Sequence, residues 1–141
     1  FLYSQQADEG GFHEIRVSKR AGTNPTAAAI AALQILDALD DETRQRTADF
    51  LAGMQTDEGG LRANTRIPIA DLLSTFTGLL TLGDLAALEM IDDAAALRYA
   101  RSLQQPCGGF FGAAWDEQVD VEYTFYGIGT CALISAAHHD R

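Results

Sequence analysis

The sequence has little of several features that would assign it at once to a class of protein. Its two cysteines, Cys107 and Cys131, are too few for a disulfide framework and lack the paired spacing of a metal site. Lys and Arg number 10 against 20 Asp and Glu, so the formal net charge of -10 repels nucleic acid and anionic membranes. The longest apolar run, residues 27–36, is broken by Gln34 and is too short to span a membrane. These absences predict a cytoplasmic protein with no nucleic-acid partner and no transmembrane segment.

What the sequence does contain is an internal repeat with a period of 49 residues. Each repeat has a glutamine, then a glycine pair, then an apolar residue, and further on a threonine and an aliphatic residue, with no insertion or deletion between them. The repeating columns are Gln6, Gln55 and Gln104; Gly10, Gly59 and Gly108; Gly11, Gly60 and Gly109; Phe12, Leu61 and Phe110; Thr26, Thr75 and Thr124; and Ile30, Leu79 and Ile128. The chain of 141 residues is therefore predicted to be one domain of three units, at about 1–39, 40–88 and 89–141.

Each unit predicts two helices of different character. In the second unit, acidic residues at 40 and 41 begin an amphipathic helix over about 41–55, and the glycine pair then forms a turn. A second helix follows over about 70–82, and its counterparts at 26–39 and 120–137 are apolar nearly all round, as buried helices are. The pattern predicts an all-α fold of stacked helical hairpins, with amphipathic helices outside and apolar helices inside, arranged as a partial α/α toroid.

The first unit begins inside its outer helix. Phe1 occupies the position that Phe50 has in the second unit and Tyr99 in the third, so most of the first outer helix is missing from the sequence. A stack of repeats with uncovered ends exposes apolar surface. We therefore expect the chain to be a segment of a longer array, or half of a ring that a second copy closes.

With these motifs the sequence resembles the prenyltransferase and squalene cyclase repeat family, which includes the β subunits of protein prenyltransferases. The resemblance is carried by the Gln-x-x-x-Gly-Gly-Phe/Leu core of all three repeats, and most strongly by Trp115 and residues 120–126 of the third. It implies an α/α toroid of which three repeats make about half, with an apolar central cavity that holds an isoprenoid chain. It also implies a transferase or cyclase reaction when the ring is complete.

The resemblance implies a zinc site in the same region. In protein prenyltransferases an Asp and a Cys two residues apart, with a later His, hold the ion. Asp120 matches that Asp, but Glu122 occupies the position of the Cys, and no repeat reproduces the whole triad. Asp120, Glu122 and Asp71 are the candidate metal ligands, with helix capping as the alternative for Asp71 and Asp120. Zinc is thus a cofactor implied by the family with an incomplete ligand set.

Aromatic side chains of the inner helices are the candidate substrate-binding residues. Trp115, Tyr123, Phe125 and Tyr126, together with Phe76 one repeat earlier, have faces suited to an apolar ligand. Packing within the core of the stack is the alternative for the same residues. Two functions remain open: a prenyltransferase-like domain that binds an isoprenoid or another lipid-like substrate, and a non-catalytic repeat scaffold that binds a partner.

Two charged groups are interpreted as solvated surface. The acidic pairs at 8–9 and 57–58 recur before the glycine pairs and are predicted to be exposed turn residues, although paired carboxylates also occur in glycoside hydrolases. Arg16, Lys19 and Arg20 form the one basic cluster, for which binding of a diphosphate is the alternative.

Overall fold

Five α-helices account for about half of the chain in a computed structural model that describes residues 1–15 and 17–139. No β-strand is found among the residues described, so the prediction of an all-α fold is confirmed. There are also two short 3-10 helices: Leu2–Gln5 precedes the first α-helix, and Leu88–Met90 lies between the third and the fourth. The five α-helices are α1 (Thr23–Ile35), α2 (Asp41–Ala52), α3 (Leu72–Asp84), α4 (Asp93–Ser102) and α5 (Val121–His139).

The helices form two layers, as the alternation of apolar and amphipathic segments predicts. In the inner layer α1 packs against α3, and α3 packs against α5. The outer helix α4 packs on α5, and α2 contributes buried Ala48, Phe50 and Leu51 to the core between the layers. No helix in the described part of the chain is long and apolar enough to cross a lipid bilayer.

Three predicted helix boundaries are wrong by three residues or more, and one of them is the start of the first inner helix, which lies at Thr23 and not at 26. The first inner helix was expected to reach residue 39, but it ends at Ile35 because Asp37 has a φ of 51° and reverses the chain. The N–H of Ala38 then donates to the carbonyl of Leu33 (2.9 Å), which is the closing bond of a Schellman turn. The second outer helix ends at Ala52, three residues before its predicted end.

The turn between the two helices of a hairpin is the same in every repeat. Its first glycine has a positive φ each time: 99° at Gly10, 100° at Gly59 and 93° at Gly108. Most residues with a Cβ avoid this region, which explains why glycine recurs at the position.

The threonine column fixes each turn to its inner helix. In each repeat the residue after the glycine pair donates its backbone N–H to a threonine hydroxyl in the first turns of the inner helix. The three bonds run from Phe12 to Thr26 (2.8 Å), from Leu61 to Thr75 (2.9 Å) and from Phe110 to Thr124 (3.1 Å). The hydroxyl of Thr75 also donates to the carbonyl of Asp71 (2.7 Å), so both of its hydrogen-bonding roles are used.

The acidic pairs are exposed turn residues, as predicted, and their glutamates also make a hydrogen bond that the sequence did not predict. Both side chains are exposed, but Glu9 Oε1 accepts the N–H of Ala21 (3.3 Å) and Glu58 Oε2 accepts the N–H of Ala70 (2.8 Å). Each bond joins the turn to the residues just before the inner helix. The third repeat has Cys107 at this position. Repetition of these carboxylates therefore has a structural cause.

Loss of the Thr75 hydroxyl tests the role of the threonine column. Thr75→Val keeps the side-chain volume but leaves the buried N–H of Leu61 without its acceptor, so we expect the free energy of unfolding to fall by about 1–3 kcal/mol. Thr124→Val is the matched control, because its partner Phe110 is in the less buried third repeat and the loss should be smaller. Urea unfolding measures both. Equal losses in the two variants would contradict this explanation.

Candidate inner-wall binding site

One stripe along the inner helices is left uncovered by the other helices. On α1 the exposed residues Ala28, Ala31 and Ile35 follow the three- and four-residue spacing of one helix face. Leu80 on α3 and Phe125 on α5 are also exposed. We call these five residues the inner wall. All five side chains are apolar and exposed, and exposed apolar side chains on the inner layer are candidates for a binding face.

An aromatic cluster lies at one end of the inner wall. The ring centroids of Phe76 and Phe125 are 5.3 Å apart, and Tyr126 lies 5.5 Å from Phe76 and 5.6 Å from Phe125. Tyr123 joins the cluster through Tyr126 at 6.0 Å. A Cβ on Gly129 would overlap the ring of Phe76, so the close approach of α5 to α3 depends on that glycine. The structure thus brings together four of the five aromatic residues that the sequence singled out.

Trp115 is the aromatic residue that stands apart. It lies in the loop before α5, its side chain is 57% exposed, and it makes no ring-to-ring contact with any residue described. Its position in that loop, ahead of the helix, separates it from the cluster.

The three candidate metal ligands are each held by a hydrogen bond of their own. Asp71 Oδ1 accepts the N–H of Ser74 (2.7 Å), and its Oδ2 accepts the Ser74 hydroxyl (2.8 Å). Asp120 Oδ1 accepts the N–H of Tyr123 (2.7 Å). Both aspartates therefore cap their inner helices, which confirms the alternative given for them. Glu122 Oε1 accepts the hydroxyl of Tyr126 (2.7 Å).

These carboxylates make the rim beside α3 and α5 negative. The hydrogen bond to Glu122, with some burial and the charge of Glu122, raises the pKa of Tyr126 to about 12. Burial, then the charges of Asp71 and Asp116, raise the pKa of Tyr123. Burial also raises the pKa of Asp71 above its usual value of 3.8, against the lowering effect of its bonds to Ser74.

The rim beside α1 has the opposite character. An open cavity of about 630 Å³ lies there, and its lining includes Lys19, Arg20 and Arg66 as well as Glu14. Arg20 is held by donating to Thr65 Oγ1 (3.1 Å). Sequence reasoning identified Lys19 and Arg20 but not Arg66, which the loop of the second repeat brings to them. Arg16, the third member of the predicted basic cluster, lies outside the described residues.

The cavity reaches the inner wall at Ala28 and contacts α3 through Asn24. Ala28 belongs to both, and Asn24, another lining residue, accepts the hydroxyl of Thr77 through Oδ1 (2.6 Å). Thr77 follows Phe76 in the chain. The N-terminus of α1 is also capped differently, because Gly22 stands where α3 and α5 have an aspartate. The positive end of the α1 dipole is thus not screened by an acidic cap, although the N–H of Thr23 donates to the carbonyl of Ala63 (2.9 Å) and Pro25 has no N–H.

The sequence matches the prenyltransferase alpha-alpha toroid domain over residues 1–66 and again over residues 28–140. The chain therefore belongs to this family, and the hairpin stack described above is its fold. A comparison with curated proteins finds no match.

The zinc ion known in that family does not fit the residues present here. Across residues 1–15 and 17–139 no three His, Cys, Asp or Glu side chains come together in a group that would hold a metal ion. Asp71 uses both carboxylate oxygens on Ser74, and Glu122 is bonded to Tyr126. Zinc prefers thiolate and imidazole ligands, which this rim lacks.

The raised pKa of Asp71 predicts how stability depends on pH. The native state holds the proton at higher pH than the unfolded chain does, so the contribution of Asp71 to stability falls as pH rises from 3.8 through its native pKa. Asp71→Asn keeps a capping oxygen and does not titrate. We expect this variant to gain stability relative to the wild type between pH 4 and pH 7, measured by urea unfolding. Asp120→Asn, at the exposed equivalent cap, controls for loss of a capping charge. A constant difference between wild type and Asp71→Asn would contradict the prediction.

Proposed function

We propose that these repeats form part of a toroid wall that binds an isoprenoid chain, with the anionic diphosphate head of that ligand at the cavity beside α1. The observation that carries the proposal is that the exposed apolar inner wall shares Ala28 with a cavity whose lining includes three cationic side chains. An amphiphile with a hydrocarbon tail and a compact anionic head matches both parts. The aromatic cluster of Phe76, Phe125 and Tyr126 supplies flat apolar surface for the tail.

Local charge favours one rim over the other for the head group. The net charge of -10 opposes an anion at long range, but salt screens this long-range repulsion. The cationic side chains of Lys19, Arg20 and Arg66 lie at the cavity itself, where their attraction for an anion is screened much less. The N-termini of α3 and α5 carry the carboxylates of Asp71 and Asp120, which repel a diphosphate. The end of α1 carries no acid in its first turn. An anionic head is therefore expected beside α1 and not beside the other inner helices.

The proposal is one of binding, because the residues described supply no zinc ligand set. A transferase or cyclase reaction in a completed ring would rest on groups from elsewhere in that ring. The incomplete donor set favours the second candidate function, a non-catalytic repeat scaffold that binds a partner. The two free thiols, Cys107 and Cys131, support the cytoplasmic location that we retain as part of the proposal.

Calorimetric titration of the full chain with three probes separates the two functions. Farnesyl diphosphate has both tail and head, farnesol has only the tail, and inorganic diphosphate has only the head. We expect farnesyl diphosphate to bind more tightly than either fragment, and its affinity to fall as salt is raised. Failure of all three to bind would contradict isoprenoid binding by this chain and leave the scaffold function.

Substitutions divide the tail contact from the head contact. Phe125→Ala should weaken farnesyl diphosphate and farnesol alike by roughly tenfold, because it removes about 1–2 kcal/mol of apolar contact. Arg20→Gln with Arg66→Gln should weaken farnesyl diphosphate and leave farnesol unchanged. Arg98→Gln removes an exposed cation from the outer helix α4 and is the matched control. Equal weakening by Arg98→Gln would show that only net charge matters.

A further inference from the structure

Three loops lead from the glycine turns to the inner helices, and all three contain the same backbone turn. We call residues 13–20 the first loop, 62–69 the second and 111–118 the third; they are 49 residues apart. In each loop a backbone N–H donates to the carbonyl three residues before it. The three bonds are Ser18 to Ile15 (2.9 Å), Ile67 to Asn64 (3.2 Å) and Asp116 to Ala113 (3.1 Å). The loops therefore present equivalent positions on the rim at which the inner helices begin.

The first and second loops expose large aliphatic side chains. Ile15 and Val17 are 56% and 81% exposed, and Ile67 and Ile69 are 36% and 39% exposed. The second loop leads into α3, which lies between α1 and α5 in the inner layer. Its isoleucines thus stay exposed although described repeats lie on both sides of it. Moving such side chains out of water is favourable.

The same two loops carry half of the positive charge of the chain. They contain five of its ten Lys and Arg but only one, Glu14, of its 20 Asp and Glu. Lys19, Arg20 and Arg66 line one cavity, so cations from both loops lie together. The remaining residues have five Lys and Arg against 19 Asp and Glu. The charge of the molecule is therefore polarised, with the first two loops as its positive part.

The third loop shows that the fold does not require this composition. Residues 115–118 are Trp-Asp-Glu-Gln, whereas the equivalent residues 66–69 of the second loop are Arg-Ile-Pro-Ile. The third loop contains no Lys or Arg, and it nevertheless forms the same turn. Asp116 and Gln118 occupy the positions of Ile67 and Ile69. Exposed aliphatic and cationic side chains are thus a property of the first two loops and not of the turn itself.

Hydrogen bonds hold the first and second loops together as one surface. Arg20 donates through Nη1 to Thr65 Oγ1 (3.1 Å), which joins the two loops directly. Within the second loop the N–H of Arg66 donates to Asn64 Oδ1 (2.9 Å), a bond that orders the residues just before Ile67. The surface is therefore largely formed before any partner binds, and little binding free energy is lost in ordering it.

A lipid bilayer with anionic head groups suits both kinds of side chain. Each Lys or Arg that approaches such a bilayer strengthens binding by roughly fivefold. Aliphatic side chains beside the cations enter the boundary between head groups and acyl chains, where they leave water. An acidic protein surface would pair with the cations, but it would not offer the isoleucines a comparable apolar medium. The combination of side chains therefore favours a bilayer as the partner.

We propose that the first and second loops dock this domain on an anionic lipid bilayer. Lys19, Arg20 and Arg66 would lie at the lipid head groups, and the aliphatic side chains of both loops would enter the apolar boundary beneath them. This docking does not depend on the binding of an isoprenoid. If the proposed function also holds, docking places the mouth of the cavity at a bilayer, in which isoprenoid chains dissolve.

The acidic remainder of the chain sets the orientation of docking. The net charge of -10 repels an anionic bilayer at long range, but salt screens this repulsion beyond about 8 Å at physiological ionic strength. Close to the bilayer, the first two loops are attracted while the acidic outer helices are repelled. The domain is therefore expected to bind with these loops toward the lipid and its outer helices away from it.

Sedimentation of the full chain with lipid vesicles tests the docking. One set of vesicles contains only phosphatidylcholine, and the other also contains about 30% phosphatidylglycerol, which is anionic. We expect roughly tenfold tighter binding to the anionic vesicles, and weaker binding as salt is raised. Absence of binding to the anionic vesicles at about 0.1 M salt, or equal binding to both sets, would overturn the proposal.

Substitutions that keep the charge test the aliphatic contact. Ile67→Gln with Ile69→Gln removes aliphatic surface, and Gln118 shows that the turn accommodates glutamine. We expect this variant to bind the anionic vesicles roughly tenfold more weakly. Leu36→Gln is the matched control, because Leu36 is 65% exposed at the other end of α1, and it should bind like the wild type. Wild-type binding by the isoleucine variant, or an equal loss in the control, would contradict docking through the second loop.

Hydrogen exchange in the wild type shows which face lies on the bilayer. Amides of residues 17–20 and 66–69 should exchange more slowly on anionic vesicles, and those of residues 115–118 should be unchanged. Protection of the outer helices in place of these loops would overturn the proposal. Poly-glutamate serves as a soluble anion without an apolar phase. If it binds the wild type and the isoleucine variant as tightly as vesicles bind the wild type, the surface is one for acidic proteins and the proposal is wrong.

Discussion

In every repeat, one threonine hydroxyl near the start of the inner helix accepts the backbone N–H of the residue that follows the glycine pair. This bond sets the angle at which the chain leaves the turn and enters the inner helix. Because Thr26, Thr75 and Thr124 make it in the same way, the three inner helices begin at one rim and lie side by side. The positive φ of the first glycine is the second requirement, since without it the N–H would not point at the helix.

This shared geometry lets the repeats carry different chemistry at equivalent positions. The inner wall has Ala28, Ala31 and Ile35 in the first repeat, whereas the aromatic cluster comes from the second and third repeats, where Phe76 and Phe125 meet because they occupy the same place in successive units. At the helix N-termini Gly22 takes the place of Asp71 and Asp120, so the rim is cationic beside α1 and acidic beside the other two inner helices. This asymmetry along the rim, more than any single residue, is what supports an amphiphilic ligand with an anionic head.

The period of 49 residues predicted the fold because each repeated residue has a local task that depends on residue type. Three of these features can be predicted without tertiary information: glycine at a positive φ, aspartate at the start of a helix, and an inner helix that is apolar on all sides. The end of α1 could not be predicted in this way. Asp37 after α1, like Ala86 after α3, adopts a positive φ against its own preference, because the next helix requires the chain to reverse. Arg66 was missed because it reaches the cavity from the neighbouring repeat, and the hydrogen bond of Glu58 was missed because its partner is a backbone N–H twelve residues away.

The repeats also show that a hairpin depends on the hairpin that follows it. The turns at Gly10 and Gly59 are covered by α2 and α4, whereas the turn at Gly108 is open. Native-state hydrogen exchange at the three equivalent amides of Phe12, Leu61 and Phe110 measures this dependence most directly, because all three donate to a threonine hydroxyl. Slow exchange at Phe12 and Leu61 with clearly faster exchange at Phe110 is the predicted result. Equal protection of the three amides would contradict it.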